Sequence, residues 1–295
     1  MTDISPSALA SKMNKSQAPN SNRKIIFGIF FYTILILAAI IFLIPLIWIV
    51  ITSLKLNSEI GTIPFVFIPK RPVLENYIFA VTRFPFFKAM GNSIWTAMLS
   101  SVPLVISSSL VGFGFARYRA PGKNFLFLLM LSTILIPSLV TAIPQFIIYA
   151  RLHLINTYWP WFLGGIGASP FFVFLYRQFF MGIPKELDDA AKLDGCNRFD
   201  IYWRIYMPNA MPVTAATFIF SFLGNWSDFI SPKLFLNESQ ATLASKLGTA
   251  YADPKGNPLV AETMAAVVLY ILPLIIIYII GQRYIYQISI RSGIK

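Results

Sequence analysis

Residues 25–54 run for 30 positions without an Asp, Glu, Lys or Arg. No segment constrains the fold more than this one. About 20 apolar residues suffice to cross the roughly 30 Å hydrocarbon layer of a bilayer as a helix. Lipid offers no partner for an unpaired backbone N–H or C=O, so such a run must be helical. Five further apolar runs follow, over residues 92–116, 125–150, 158–180, 210–236 and 261–282. Arg177 falls near the end of the fourth, Asp228 and Lys233 interrupt the fifth, and Glu262 sits at the edge of the sixth. The expected fold is an all-α membrane protein with six transmembrane helices. Composition agrees, because only 12% of the residues are charged, against about a quarter in soluble domains.

The charge that is present reports topology. There are 24 Lys and Arg against 12 Asp and Glu. A net charge of +12 could signal nucleic acid, but these charges lie between the apolar runs, where cytoplasmic loops concentrate Lys and Arg. With six spans and both termini inside, 15 of the 24 basic residues face the cytoplasm. Nucleic acid is therefore not an expected partner. Residues 1–24 are polar and Ser/Asn-rich and read as a disordered cytoplasmic tail. They do not read as a secretory signal, because the apolar run after them is too long.

Catalytic chemistry finds little to work with. One cysteine, Cys196, and one histidine, His153, are present, which precludes an internal disulfide or a Cys/His metal site. Gly122-Lys123 lacks the upstream glycine and following hydroxyl of a phosphate-binding loop. Asp228 is the one candidate for a buried ionisable group, and ion-coupled carriers generally need such groups. An ion-coupled secondary transporter and a membrane-embedded enzyme stay as alternatives with little in the sequence behind them. Prolines recur within the runs at 45, 103, 137, 144, 170 and 273. They mark either a bundle built to bend or ordinary membrane-helix irregularity.

The informative stretch is polar. Residues 183–212 read IPKELDDAAKLDGCNRFDIYWRIYMPNAMP, and five of the 12 acidic residues (Glu186, Asp188, Asp189, Asp194 and Asp200) lie within 15 positions. Pro184 can open a helix whose first turns carry acids that suit its dipole. Leu187, Ala190, Ala191 and Asp194 then share one face, and Gly195 suits a helix stop. A second helical pattern follows, with Phe199, Tyr202, Trp203 and Tyr206 on one face and Pro208 closing it. Residues 184–207 thus predict two short helices around a glycine.

The order Asp189-Ala190-Ala191, three residues, Gly195, nine residues, Ile205-Tyr206-Met207-Pro208 resembles the EAA loop of ABC importer permeases, with Asp for Glu and Met for Leu. Further segments resemble the carbohydrate-uptake, maltose-type, binding-protein-dependent family. These are Gly112-Phe113-Gly114-Phe115-Ala116-Arg117-Tyr118-Arg119 with Pro121-Gly122, Ile136-Pro137 with Ile143-Pro144, residues 154–159 (LINTYW), Tyr176-Arg177-Gln178-Phe179-Phe180 and Phe222-Leu223-Gly224-Asn225-Trp226-Ser227-Asp228-Phe229. The likeness covers about residues 30–295.

This resemblance implies a type I importer permease fold with a cytoplasmic coupling helix between helices four and five. It implies a prokaryotic cytoplasmic-membrane protein that imports a sugar or oligosaccharide and has no catalytic residues of its own. The implied partners are a second homologous permease, two ATPase subunits holding ATP and magnesium, an extracytoplasmic solute-binding protein and membrane lipid. Contact with the ATPase is expected at Glu186, Asp189, Ala190, Ala191, Asp194, Gly195, Ile205 and Pro208. A permease domain over 25–285 would be followed by a cytoplasmic tail over 286–295, in which Ser292, Gly293 and Lys295 either reach the ATPase or fray. Asn225, Trp226 and Asp228 either border the solute path, with a flat ring and hydrogen-bonding groups suited to a sugar, or form a bend held by local bonds. The segments at 55–88 and 237–260 are the expected outer loops, the second projecting outward through the turn around Pro254.

Overall fold

A computed structural model describes residues 21–64, 66–253 and 255–292. The described part is helical, apart from an isolated bridge between Ala252 and Pro258. Helix α1 spans Ser21–Ser53, α2 Glu75–Thr82 and α3 Phe86–Arg117. Helices α4 (Lys123–Ser132) and α5 (Ser138–Arg151) follow, then α6 (Trp159–Ile166) and α7 (Pro170–Met181). Helix α8 covers Glu186–Leu193. The rest is α9 (Met211–Ser227), α10 (Ile230–Phe235), α11 (Leu243–Leu247) and α12 (Val260–Ser292).

The chain divides into two compact units, residues 1–51 and 52–295. In the first, α1 exposes apolar side chains around its circumference, among them Phe27, Phe31, Ile36, Ile41 and Phe42. A helix apolar on every side belongs in lipid or in a large core. In the second unit α3 is the central post. Helices α6, α7 and α9 all pack along it, and α12 packs on α9 and α2.

Small and hydroxylic residues let α3 do this. Ser93, Thr96, Ser100, Ser101, Ser108 and Ser109 are all buried. The Ser107 hydroxyl donates to the Gly165 carbonyl at 2.9 Å, and the Ser108 hydroxyl accepts from the Ser169 N–H at 2.9 Å. A methyl group on Gly112 would lie 2.6 Å from the Tyr176 Cβ, and one on Gly165 would lie 2.5 Å from the Ser100 carbonyl oxygen. Close backbone approach through small residues is how helices associate where lipid removes the hydrophobic drive between them.

Among the described residues the membrane helices are not uniform rods. Among the described residues three helices, within 27–53, 86–117 and 260–284, are long and apolar enough to cross a bilayer unbroken. The third expected span folds into α4 and α5, which meet at 97°. Ile136 is extended before Pro137, which opens α5, and a residue before proline is disfavoured in the helical region. The fourth is interrupted in the same way: Ser169 is extended before Pro170, the first residue of α7. Pro45, Pro103, Pro144 and Pro273 instead lie inside helices. The fifth expected span, 210–236, is not one helix. α9 stops after 17 residues and Asp228 separates it from α10.

Other boundaries move for local reasons. α3 begins at Phe86, not at 92, because Lys88 is exposed while Phe86 and Ala89 are buried against the core. A charged residue therefore fits the first turn. The tail expected over 1–24 gives way to helix at Ser21, and its residues 1–20 lie outside the described residues. The tail expected from 286 is helical to Ser292, since no Gly or Pro occurs between Gly281 and Gly293 to stop α12. The loop at 237–260 packs inward over Thr242–Leu247: Leu243 is fully buried and its N–H reaches the Ser93 hydroxyl at 2.8 Å. Lys255–Pro258 are exposed, as are 237–239 and 248–249, and beside the first stretch lies an Asp253 carboxyl that Asn257 holds below the usual carboxylate range.

Candidate functional site: the polar elbow between α7 and α9

The segment Trp159–Met181 and α8 make an angle of 78° across residues 182–185. Helix α8 has Glu186, Asp188 and Asp189 in its first turn and Lys192 in its last, an order that complements the helix dipole. It ends as the glycine demands. Gly195 has φ +80°, its N–H reaches the Lys192 carbonyl at 3.1 Å, and the Cys196 N–H reaches the Ala191 carbonyl at 2.9 Å. This pair of bonds is the Schellman closure, and it needs the left-handed conformation at that position.

The second helical stretch starts with a cap that sequence reasoning missed. The Asn197 side-chain oxygen accepts from the N–H groups of Phe199 and Asp200, both at 2.9 Å, and the Asp200 carboxylate accepts from the Asn197 N–H at 3.3 Å. The signal was available, as an Asn three residues before an acid. Residues Ile201–Tyr206 then form a π-helix. The single aromatic face expected here splits in two. Tyr202 and Tyr206 are buried with Ile201, whereas Phe199 is 65% exposed and Trp203 56%. The wider turn of the π-helix sets Tyr202 and Tyr206 inward together.

What holds the elbow is a cluster around Arg117, the last residue of α3. Its side chain is 6% exposed and its Nε lies 3.8 Å from the Asp188 carboxylate. One terminal nitrogen donates to the Ile183 carbonyl at 2.6 Å, and the guanidinium lies over the Tyr206 ring, 4.7 Å from its centroid. Tyr206 donates its hydroxyl to Asp188. Burial, and then the bond to Asp188, push the Tyr206 hydroxyl well above its ordinary pKa, while Arg117 pulls the other way. Three elements are thereby tied through one carboxylate. Beneath them Phe113 packs on Tyr206, Tyr202 and Phe180, with centroids 4.8, 5.3 and 6.0 Å away. Neither Arg117 nor Asp188 stood among the expected contact residues; a largely buried ion pair between segments 71 residues apart leaves no local signature.

Most of the expected contact residues remain open. Glu186, Asp189, Ala190, Asp194, Gly195 and Pro208 are exposed, with Asp189 paired to Lys192 at 2.9 Å, and Ile205 is half-buried. Ala191 is the exception. At 5% exposure it packs into the core beside Tyr202 and Tyr206, so the two alanines point to different sides. Leu193 is 90% exposed and Leu187 43%, which places apolar surface on an otherwise charged helix.

The second group separates. Trp226 is fully buried, stacked on Phe222 and tilted against Tyr270 with centroids 5.8 and 5.4 Å away. Its ring faces packing, not open space. Asn225 donates to the Ser221 carbonyl one turn back at 2.8 Å. Asp228 accepts from the Ile230 and Ser231 N–H groups at 2.9 and 3.1 Å and so caps α10. It also lines a cavity of about 430 Å³ with Ser138, Thr141, Gln145, Ser227 and Ser231. The side chain of Ser292, and Gly293 and Lys295 as a whole, lie outside the described residues.

Residues 106–288 match the family model described as binding-protein-dependent transport system inner membrane component. The chain is similar to the arabinooligosaccharides transport system permease protein AraQ of Halalkalibacterium halodurans, 34% identical over 87% of this chain and 92% of that one. It is also similar to the lactose transport system permease protein LacG of Rhizobium radiobacter, 29% identical over 87% and 92% of the two chains. Among solved structures, a chain of a bacterial ABC transporter involved in the import of alginate superposes with a TM-score of 0.74 at 21% identity, covering 90% of this chain and 98% of that one.

Proposed function

Since the chain belongs to the family of binding-protein-dependent transport system inner membrane components, we propose that it is one of two permease subunits in an ATP-driven importer of a sugar or oligosaccharide. It is proposed to form half of the solute path and to receive the motion of the ATPase subunits through α8. The relatives' named cargoes, arabinooligosaccharides and lactose, support a saccharide. In this reading both termini and α8 are cytoplasmic, ATP and magnesium stay on the ATPase subunits, and a solute-binding protein delivers cargo at the opposite face.

The observation that carries the reading is the exposed apolar edge of α8. Leu193 and Leu187 stand free beside Ala190 on a short helix set at 78° to Trp159–Met181 and pinned from behind by Asp188 and Ala191. Exposed leucine on a charged helix costs solubility unless a partner covers it. The pinned side faces α3 and α7, so a push on the exposed side reaches the membrane helices directly. In the complex reconstituted with its binding protein, Leu193→Asp should lower solute-stimulated ATP hydrolysis by about tenfold or more, as expected for a charge forced into the centre of a packed interface. Full stimulation in that variant would sink the coupling role of α8.

For the solute path, the polar cavity around Asp228, Ser138, Thr141 and Gln145 is a better candidate than the Trp226 ring. It offers donors and acceptors to hydroxyl groups, and its open side is not filled by the chain's own side chains.

A further inference from the structure

The elbow holds a second feature, a recess whose Arg119, Lys123 and Lys185 take no part in the coupling or solute-path readings. A cavity of about 320 Å³ opens between the C-terminal end of α3, the start of α4 and α8. Five basic side chains line it: Arg117, Arg119, Lys123, Lys185 and Lys192. Against them stand the carboxylates Asp188 and Asp189, an excess of three positive charges. The carboxylates are already engaged, Asp188 with Arg117 at 3.8 Å and Asp189 with Lys192 at 2.9 Å. Lys123 donates to the Tyr118 carbonyl at 2.8 Å, which leaves its charge uncompensated. Among the described residues no hydrogen bond or ion pair engages the side chain of Arg119 or of Lys185. Unpaired cations gathered in one concavity call for an anion, because their mutual repulsion is relieved when one enters.

The geometry points to an anionic phospholipid, its phosphodiester headgroup seated in this cavity. The choice of a lipid over a free anion rests on what adjoins it. Helix α4 leaves directly from Lys123, and Phe125, Leu126, Leu128 and Leu129 are each more than half exposed. A headgroup in the cavity can therefore lay its acyl chains along α4 without leaving apolar surface. Basic recesses between membrane helices on the cytoplasmic side suit such headgroups. The inference rests on the cytoplasmic placement of the elbow proposed above. It adds a ligand there: lipid would bridge the end of α3 to the helix that meets the motor.

The test uses the assembled importer in vesicles of phosphatidylcholine with or without phosphatidylglycerol, and scores lipid retained on the detergent-washed complex by native mass spectrometry. The wild type should retain phosphatidylglycerol. The double variant Arg119→Gln/Lys185→Gln should bind it about 30-fold more weakly, the effect of removing two surface charges facing an anionic headgroup. Both side chains are exposed, so folding should survive, and an unchanged elution profile checks this. Equal retention by variant and wild type would overturn the proposal. So would displacement of the lipid by millimolar inorganic phosphate, which would mark a free-anion site. Loss of the ATPase subunits from the variant with lipid retention unchanged would assign the cations to an acidic partner surface instead. A complex that couples normally yet retains no phosphatidylglycerol would overturn the lipid site and leave the coupling reading intact.

Discussion

Asp188 is the residue on which the elbow turns. It accepts from Tyr206 and faces Arg117, and those three side chains belong to α8, the π-helix and α3. Breaking a largely buried pair strands the remaining charge, at a cost of up to about 3 kcal/mol. Asp188→Ala should therefore lower the thermal midpoint of the purified chain and loosen α8, read as faster amide exchange at residues 186–194. A double variant that also replaces Arg117 with Met should recover most of that loss, because it removes the stranded charge. Trp226 gives a contrasting prediction. Its ring is fully buried between Phe222 and Tyr270, so its role is packing. Trp226→Phe should keep the solute affinity of transport unchanged, whereas Trp226→Ala should destabilise by about 3–5 kcal/mol. A rise in the transport KM for Trp226→Phe at unchanged stability would place the ring on the solute path after all.

Among the elements, α3 decides the architecture. Its partners approach so closely that two glycines have no room for a side chain. Gly112 faces Tyr176 and Gly165 faces the Ser100 carbonyl, each leaving less than 3 Å for a methyl group. Gly112→Ala should cost roughly 1–3 kcal/mol, the usual penalty for overpacking, seen as a lower melting temperature in detergent. Gly114→Ala, two residues along on the open side of α3, should be neutral or slightly stabilising, since alanine is the better helix former. Equal effects at the two positions would contradict the packing described. Proline position matters at this scale too. Where proline falls inside a helix, as Pro103 does, the rod continues; where an extended residue precedes it, as at Pro137 and Pro170, the rod ends.

Across the whole molecule, two surfaces serve two media. Apolar side chains cover α1, and α4 and α5 also show apolar surface, as lipid requires. The elbow between α7 and α9 gathers five of the 12 acidic residues, with Arg117 of α3 facing Asp188 and two exposed leucines, Leu187 and Leu193. The proposed coupling would need both: a rigid connection to the membrane helices and an exposed edge for a partner. The Leu193→Asp measurement tests that division, because it alters the exposed edge and leaves the Asp188 anchor untouched.

Much of this was legible in the sequence. Long charge-free runs impose helices, since lipid cannot satisfy a free backbone. Gly195 and its spacing to Asp189 and Pro208 announce the helix stop, because its backbone conformation belongs to glycine. Family membership follows from the same short-range order. These are local properties, fixed by what each residue and its near neighbours can do. What the tertiary structure alone decided is non-local. It set which alanine faces inward, that Trp226 is filled in by its own neighbours, that the aromatic face of 199–206 divides across a π-turn, and that Arg117 finds Asp188 across 71 positions. The physical reason is that burial and ion pairing depend on which surfaces meet. Nothing in the periodicity of a single segment says which of its faces another helix will cover.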